Sequence, residues 1–226
     1  MEVCRVYYSD DNGRSWQPCD GWIMGWRDER WSDDLTEPSA VELRNGNVYM
    51  LARSVTGRLH QVRSEDRGYS WWPGATPTVL ASSYSPCRLG ILPQTGDLVV
   101  IWNQASREEI RKGLRRCRLS SAVSRDDGRT WSHFKNIDSI ASTGDTTHVL
   151  TDPDLTPVWG DDKVGELPDD YAIYHYPNLC FVGNRAYIGI LGSRLTVETS
   201  TEGIPAVKGI SLKQTRVLPV DWFYKD

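Results

Sequence analysis

The chain has 226 residues, of which 39% are hydrophobic and 25% charged, and carries a formal net charge of −4. That length suffices for one well-buried domain. No run approaches the roughly 18 apolar residues of a membrane span, and the acidic balance argues against a nucleic-acid backbone as partner. The opening Met1-Glu2-Val3-Cys4-Arg5 has neither the basic nor the apolar stretch of an export leader, so a soluble, cytoplasmic protein is the default expectation.

In chain order, residues 3–9 read as a strand entering Ser9-Asp10-Asp11-Asn12-Gly13-Arg14-Ser15-Trp16. Strands at 39–43 and 48–53 flank Asn45-Gly46, a strong two-residue hairpin signal. A strand at 59–64 enters Ser64-Glu65-Asp66-Arg67-Gly68-Tyr69-Ser70-Trp71. Strands at 88–92 and 97–103 flank Thr95-Gly96, and residues 106–114 read as a helical turn or two in an insertion. A strand at 117–124 enters Ser124-Arg125-Asp126-Asp127-Gly128-Arg129-Thr130-Trp131. Residues 138–170, rich in Asp, Thr, Gly and Pro, read as a long loop of the kind that borders sites. Strands at 176–182 and 185–191 flank Gly183-Asn184, and residues 207–224 read as a terminal strand.

The octapeptide S-x-D-x-G-x-[ST]-W thus occurs three times, at intervals of 55 and 60 residues. Its chemistry is that of a hairpin turn. Glycine supplies a positive φ at the tip, the Asp carboxylate accepts backbone N–H groups of its own turn, and Trp folds back to seal the turn against the neighbouring sheet. Asp11, Asp66 and Asp126 are therefore expected to be structural. Each unit reads as strand, tight turn, strand, loop, strand, octapeptide, strand. That is a four-stranded antiparallel blade, and radial repetition of blades makes a propeller.

Ten Trp against three Phe suit a repeated packing role or a sugar-stacking surface. Cys4, Cys19, Cys87, Cys117 and Cys180 are odd in number and widely spaced, with no CxxC pair. Neither a zinc site nor a disulfide framework is expected, only buried free thiols, and no metal or cofactor is implied.

The octapeptides and their flanks resemble the sialidase (neuraminidase) superfamily, in its BNR/Asp-box branch. The resemblance implies an all-β fold: a sialidase-type β-propeller lacking its N-terminal blades, about four blades of four antiparallel strands. Residues 1–226 would form this one partial domain, with boxes at 9–16, 64–71 and 124–131. Three further segments carry the resemblance. Glu37-Pro38 through Arg53 is similar to the family's Glu…strand–turn–strand…Arg blade, which makes Glu37 the general base and Arg53 a substrate-clamping arginine. The segment from Arg116 to Ser124 is similar to the strand that supplies another clamp arginine. Arg116 fits best, and Arg118 or Arg115 takes its place if the register slips. Tyr176-Pro177-Asn178-Leu179 is similar to the family's Tyr-Ser-x-Leu, which makes Tyr176 the nucleophile. Two departures stand out: Pro177 replaces the family's Ser, and no counterpart of the first clamp arginine or of the acid/base Asp precedes Glu37.

The residue types suit the chemistry. A sugar acid carries a carboxylate beside its anomeric carbon, which repels a carboxylate nucleophile but not a neutral phenol. A phenol ordinarily titrates near 10, so a base must take its proton during attack. Guanidinium groups match a carboxylate in bidentate fashion. His175 is expected to be structural, and Asp152, Asp154, Asp161 and Asp162 to be solvated loop charges.

Three functions follow. The first is a retaining, sialidase-like glycoside hydrolase acting on a terminal sugar acid. The second is a non-catalytic propeller that binds carbohydrate or protein. The third is a truncated remnant completed by homo-oligomerisation. The expected partner is a sialic-acid-like carbohydrate, with neither nucleic acid nor membrane involved.

Overall fold

The computed structural model describes residues 3–28, 31–71, 74–143, 158, 167–199 and 205–225. The strands, in chain order, begin with β1 (Tyr7–Tyr8), β2 (Gln17–Pro18), β3 (Gly25–Asp28) and β4 (Trp31–Asp33). They continue with β5 (Leu35–Glu42), β6 (Val48–Ser54), β7 (Arg58–Ser64) and β8 (Thr76–Ala81). Next come β9 (Arg88–Ile91), β10 (Leu98–Trp102), β11 (Arg118–Ser124) and β12 (Ser132–Ser139). Last are β13 (Ala172–Val182), β14 (Arg185–Thr199) and β15 (Pro205–Pro219). They form two four-stranded sheets, β5-β6-β7-β8 and β9-β10-β11-β12, one three-stranded sheet, β13-β14-β15, and the pairs β1-β2 and β3-β4. Pairing between these strands is antiparallel throughout. The fold is all-β, as the alternating strand pattern requires.

The three octapeptides sit at equivalent places, between β1 and β2, β7 and β8, and β11 and β12. Their construction is the same in each copy. In the second, Ser64 Oγ donates to Asp66 Oδ1 at 2.6 Å and accepts from Gly68 N at 2.7 Å. Asp66 also accepts from Ser70 N at 2.9 Å and from Ser70 Oγ at 2.5 Å. These donors, Ser64 first and then Ser70, pull the Asp66 carboxyl down to about 2. The turn needs positive φ at two successive residues, 65° at Arg67 and 99° at Gly68, with Asn12-Gly13 and Asp127-Gly128 repeating the pair. That is the twist a two-residue hairpin prefers. At Gly128 a side chain is excluded twice over, since φ is 83° and a Cβ would lie 2.5 Å from the Tyr49 ring of the preceding sheet.

The sheets pack face to face in chain order. Leu43, Tyr49 and Leu51 of the β5–β8 sheet meet Leu98, Val100, Trp102 and Trp131 of the β9–β12 sheet. Val99, Ile101, Leu119 and Val123 on that sheet's other face meet Leu179, Ile188, Ile190 and Phe223. The segment before β5 closes over the other face of the first sheet through Cys4, Cys19, Ile23, Met50, Val62 and Trp71. Asn103 ties the ends of the last two sheets together, with Nδ2 donating to Arg118 O and Tyr174 O.

Several expectations are corrected. The strand at 3–9 narrows to Tyr7–Tyr8, with Cys4 making a single bridge to Ile23. Trp71 and Trp131 seal their turns at 4% and 8% exposure, but Trp16 is 63% exposed, because no described sheet precedes its own. The 138–170 stretch does not start as a loop. β12 retains Asp138 and Ser139, and a 3₁₀ turn follows at Ala141–Thr143. Residues 144–157 and 159–166, with Asp152, Asp154, Asp161 and Asp162, lie outside the described residues. The terminal strand ends at Pro219 and passes into a 3₁₀ helix, Val220–Tyr224, anchored by buried Phe223. The insertion helix α1 is shorter than 106–114. It spans Arg107–Arg111, started by a Ser106/Glu109 capping box. Four cysteines are buried and free as expected, whereas Cys180 is exposed.

Candidate active site

The first strands begin earlier than the expected 39 and 176, at Leu35 and Ala172. Glu37 and Tyr176 sit inside β5 and β13, each at a bulge. β5 pairs Thr36 with Arg53 and Ser39 with Leu51, so Glu37 and Pro38 face one residue of β6. β13 pairs His175 with Leu191 and Asn178 with Gly189, so Tyr176 and Pro177 face one residue of β14. Both bulged residues have positive φ, 48° at Glu37 and 44° at Tyr176. Such backbone costs about 1–3 kcal/mol for a residue other than glycine and persists where surrounding structure holds it. A bulge turns its side chain out of the strand's alternation, and the proline that follows needs no ladder partner for a backbone N–H. The β9 strand is preceded by a third such proline, Pro86. Together Pro38, Pro86 and Pro177 line an open cleft with Glu37, Ser39, Arg88 and Tyr176.

Within this cleft the Tyr176 phenol donates to Glu37 Oε1 at 3.1 Å. The other oxygen of Glu37, Oε2, accepts from Arg53 Nη1 at 2.6 Å. Arg53 also lies over the ring of Tyr84, with 3.6 Å from Cζ to the centroid. Arg116 stands beside Tyr176, its Cζ 5.6 Å from the ring centroid. Its Nη1 contacts His175 Nδ1 at 2.9 Å, and its Nη2 donates to Tyr84 O at 3.4 Å. Burial, and then the nearby Arg53 charge, pulls the Arg116 guanidinium below its ordinary value, though guanidinium stays charged in proteins. His175 is held below the usual imidazole value by burial and then by Arg116.

The structure thus brings Glu37, Arg53, Arg116 and Tyr176 together from four separate segments. It also separates Arg116 from its neighbours. Arg118 is 2% exposed, paired with Glu109 Oε1 at 2.6 Å, and bonded to Gln104 O and Thr143 O. It locks α1 and the turn after β12 onto the sheet. Arg115 donates to Val158 O at 3.1 Å. Asp11, Asp66 and Asp126 stay within their turns. Sequence reasoning missed Tyr84 and Arg88. No local pattern marks Tyr84, while Arg88 shares the signal that Pro38, Pro86 and Pro177 carry, an Xaa-Pro step at the first strand of each sheet. Among the described residues no group of three or more His, Cys, Asp or Glu is placed to hold a metal ion. No described helix is long and apolar enough to cross a membrane.

The fold and site define a class: an all-β protein of antiparallel sheets, three of them stapled by an Asp-box turn, with a Tyr–Glu–Arg cluster at bulged first strands. A family model described as a BNR repeat-like domain matches residues 3–190, and the chain belongs to that family. No curated protein matches at the sequence level. Among solved structures, a mutant of the NanB sialidase from Streptococcus pneumoniae superposes with a TM-score of 0.55 at 14% identity, covering 97% of this chain and 28% of that one. The GH93 α-L-arabinofuranosidase of Fusarium graminearum, in complex with arabinobiose, gives 0.56 at 12% identity, covering 95% and 54%. The intramolecular trans-sialidase from Ruminococcus gnavus, in complex with oseltamivir carboxylate, gives 0.54 at 14% identity, covering 97% and 38%. These likenesses concern the fold. The chain spans 28% to 54% of the lengths of these three proteins.

Proposed function

We propose that this chain forms part of a sialidase-type propeller and carries a glycoside-hydrolase site for a terminal sugar acid. Tyr176 is the nucleophile, Glu37 its base, and Arg53 and Arg116 bind the substrate carboxylate. The observation that carries the reading is the 3.1 Å hydrogen bond from the Tyr176 phenol to Glu37 in an open cleft with Arg116 beside it. In the reaction, Tyr176 Oη bonds to the anomeric carbon, its proton passes to Glu37, and the glycosidic C–O bond breaks. The departing oxygen takes a proton from a donor outside this set. Water then attacks the tyrosyl glycoside and gives up a proton to the conjugate base of that same outside donor, Glu37 returns its proton to the departing Tyr176 oxygen, and the configuration is retained. The Arg pair favours an anionic sugar over a neutral one, because the single carboxylate of Glu37, paired with Arg53, balances only one of the two guanidinium groups.

A second reading is a binding propeller without turnover. It is favoured by the described cleft lining, in which Glu37 is the one carboxylate. Losing general-acid assistance costs roughly 10²–10⁴ in rate. Turnover of a fluorogenic sialoside, measured with Tyr176→Phe in parallel, separates the two. Turnover abolished by the substitution supports the enzyme, while sialic acid binding without turnover supports the binding protein.

A further inference from the structure

We infer that His175 is a positioning residue: as neutral imidazole it holds the Arg116 guanidinium beside Tyr176, where an anionic group of the ligand is to be received, and when protonated it lets go. The ligand part of this inference rests on the sugar-acid reading above, and the tautomer and the coupling to Arg116 do not.

A guanidinium has five donors and no acceptor. The 2.9 Å contact between Arg116 Nη1 and His175 Nδ1 therefore requires a lone pair on Nδ1. The ring proton then sits on Nε2. Arg116 needs such a support, because it leaves the chain from the turn before β11 and has no ladder position of its own. Its backbone is fixed by Tyr174 N donating to Arg116 O at 2.9 Å, and its Nη2 makes a long 3.4 Å bond to Tyr84 O. His175 supplies the short contact that sets the plane of the guanidinium.

The surroundings make the arrangement pH-sensitive. Arg116 is the charge in contact with the imidazole. Behind it stand Arg53 and Glu37, paired with each other. On the imidazole's own strand the Tyr176 ring stacks at 6.4 Å and 28°, and on the paired strand the partner is Leu191, which carries no charge. A proton on Nδ1 removes the acceptor and places a second positive charge against the guanidinium. Burial and Arg116 hold His175 neutral around pH 7, so the contact is lost only on the acid side.

The test uses the whole chain and two readouts. Imidazole nitrogen NMR is expected to show His175 as the Nε2–H tautomer, titrating below an ordinary histidine, with its midpoint rising in Arg116→Met. Binding of free sialic acid, whose carboxylate stays ionised over the range, is measured at about pH 7.5 and about pH 5. His175→Phe is expected to weaken it about tenfold at the higher pH, the loss of one charge-assisted contact. His175→Asn keeps a non-titrating acceptor near the Nδ1 position, so it retains most of the binding and loses the acid-side weakening. An Nδ1–H tautomer, or a midpoint indifferent to Arg116→Met, overturns the inference. If sialic acid binds to no form of the protein, the sugar-acid reading fails by itself, and the tautomer and midpoint still decide the role of His175.

Discussion

Tyr176 and Glu37, 139 positions apart in sequence, are joined by a hydrogen bond of 3.1 Å from the phenol to Oε1. Each is the extra residue of a β-bulge, each has positive φ, and each is followed by proline. Two strained first strands of different sheets therefore bring the proposed nucleophile and its proposed base to one point. Glu37→Gln keeps the shape of the site and removes the proposed base. Turnover of a sialoside is expected to fall by roughly 10²–10⁴, measured as kcat with folded protein confirmed by circular dichroism. Full activity in this variant would assign proton removal to another group.

His60 gives the fold an acid limit. It is fully buried, with Nε2 3.1 Å from Thr56 Oγ1, and burial pulls its value down to about 4. An unfolded chain has an ordinary histidine near 6.5. The stabilisation from keeping this group neutral is present in full above pH 6.5 or so. It is lost as pH falls through that value toward about 4, where unfolded chains bind a proton that the native state refuses. The loss is on the order of 3 kcal/mol across the window. Urea midpoints measured across that range in wild type and His60→Gln check it, and the variant is expected to show the shallower acid slope.

The box tryptophans are unequal. Trp131 and Trp71 are buried against the preceding sheet or segment, and Trp16 is 63% exposed. Trp131→Ala is expected to cost about 3–5 kcal/mol, and Trp16→Ala within about 0.5 kcal/mol. Chemical denaturation of chain 1–226 measures both.

Gly128 and Gly21 separate strain from clash. Both have positive φ, 83° and 77°, but a Cβ at Gly21 meets nothing within 4 Å, while one at Gly128 meets the Tyr49 ring at 2.5 Å. Gly21→Ala is expected to cost about 1 kcal/mol from backbone alone. Gly128→Ala should cost about 1–3 kcal/mol more. Equal costs would show that Tyr49 yields freely.

How much of this was legible depends on whether the signal is local. Asp66, Gly68 and Ser70 bond within one turn, so three spaced copies of the motif revealed the sheets and their order. The second positive φ, at Asn12, Arg67 and Asp127, has no residue type in common and was invisible. Trp16 looked like Trp71 and Trp131, but burial belongs to the neighbouring sheet rather than to the motif. Glu37, Arg53 and Tyr176 could be named from family resemblance, yet their bulges could not, since an extra residue exists only against a partner strand. Arg116 and Arg118 were inseparable because β11 is buried on both faces and so has no alternation to phase. Tyr84 joins Arg53 to Arg116 from a loop, by contacts that no spacing encodes.

The most direct test of the central claim is to label the protein with a difluorinated sialic acid, whose fluoride leaves without needing the general acid that the described cleft lacks, and to locate the label by peptide mass spectrometry. A sugar adduct on Tyr176, absent in Tyr176→Phe and slowed in Glu37→Gln, is the predicted result. An adduct on another residue, or none at saturating reagent on folded protein, would contradict Tyr176 as the nucleophile of this site.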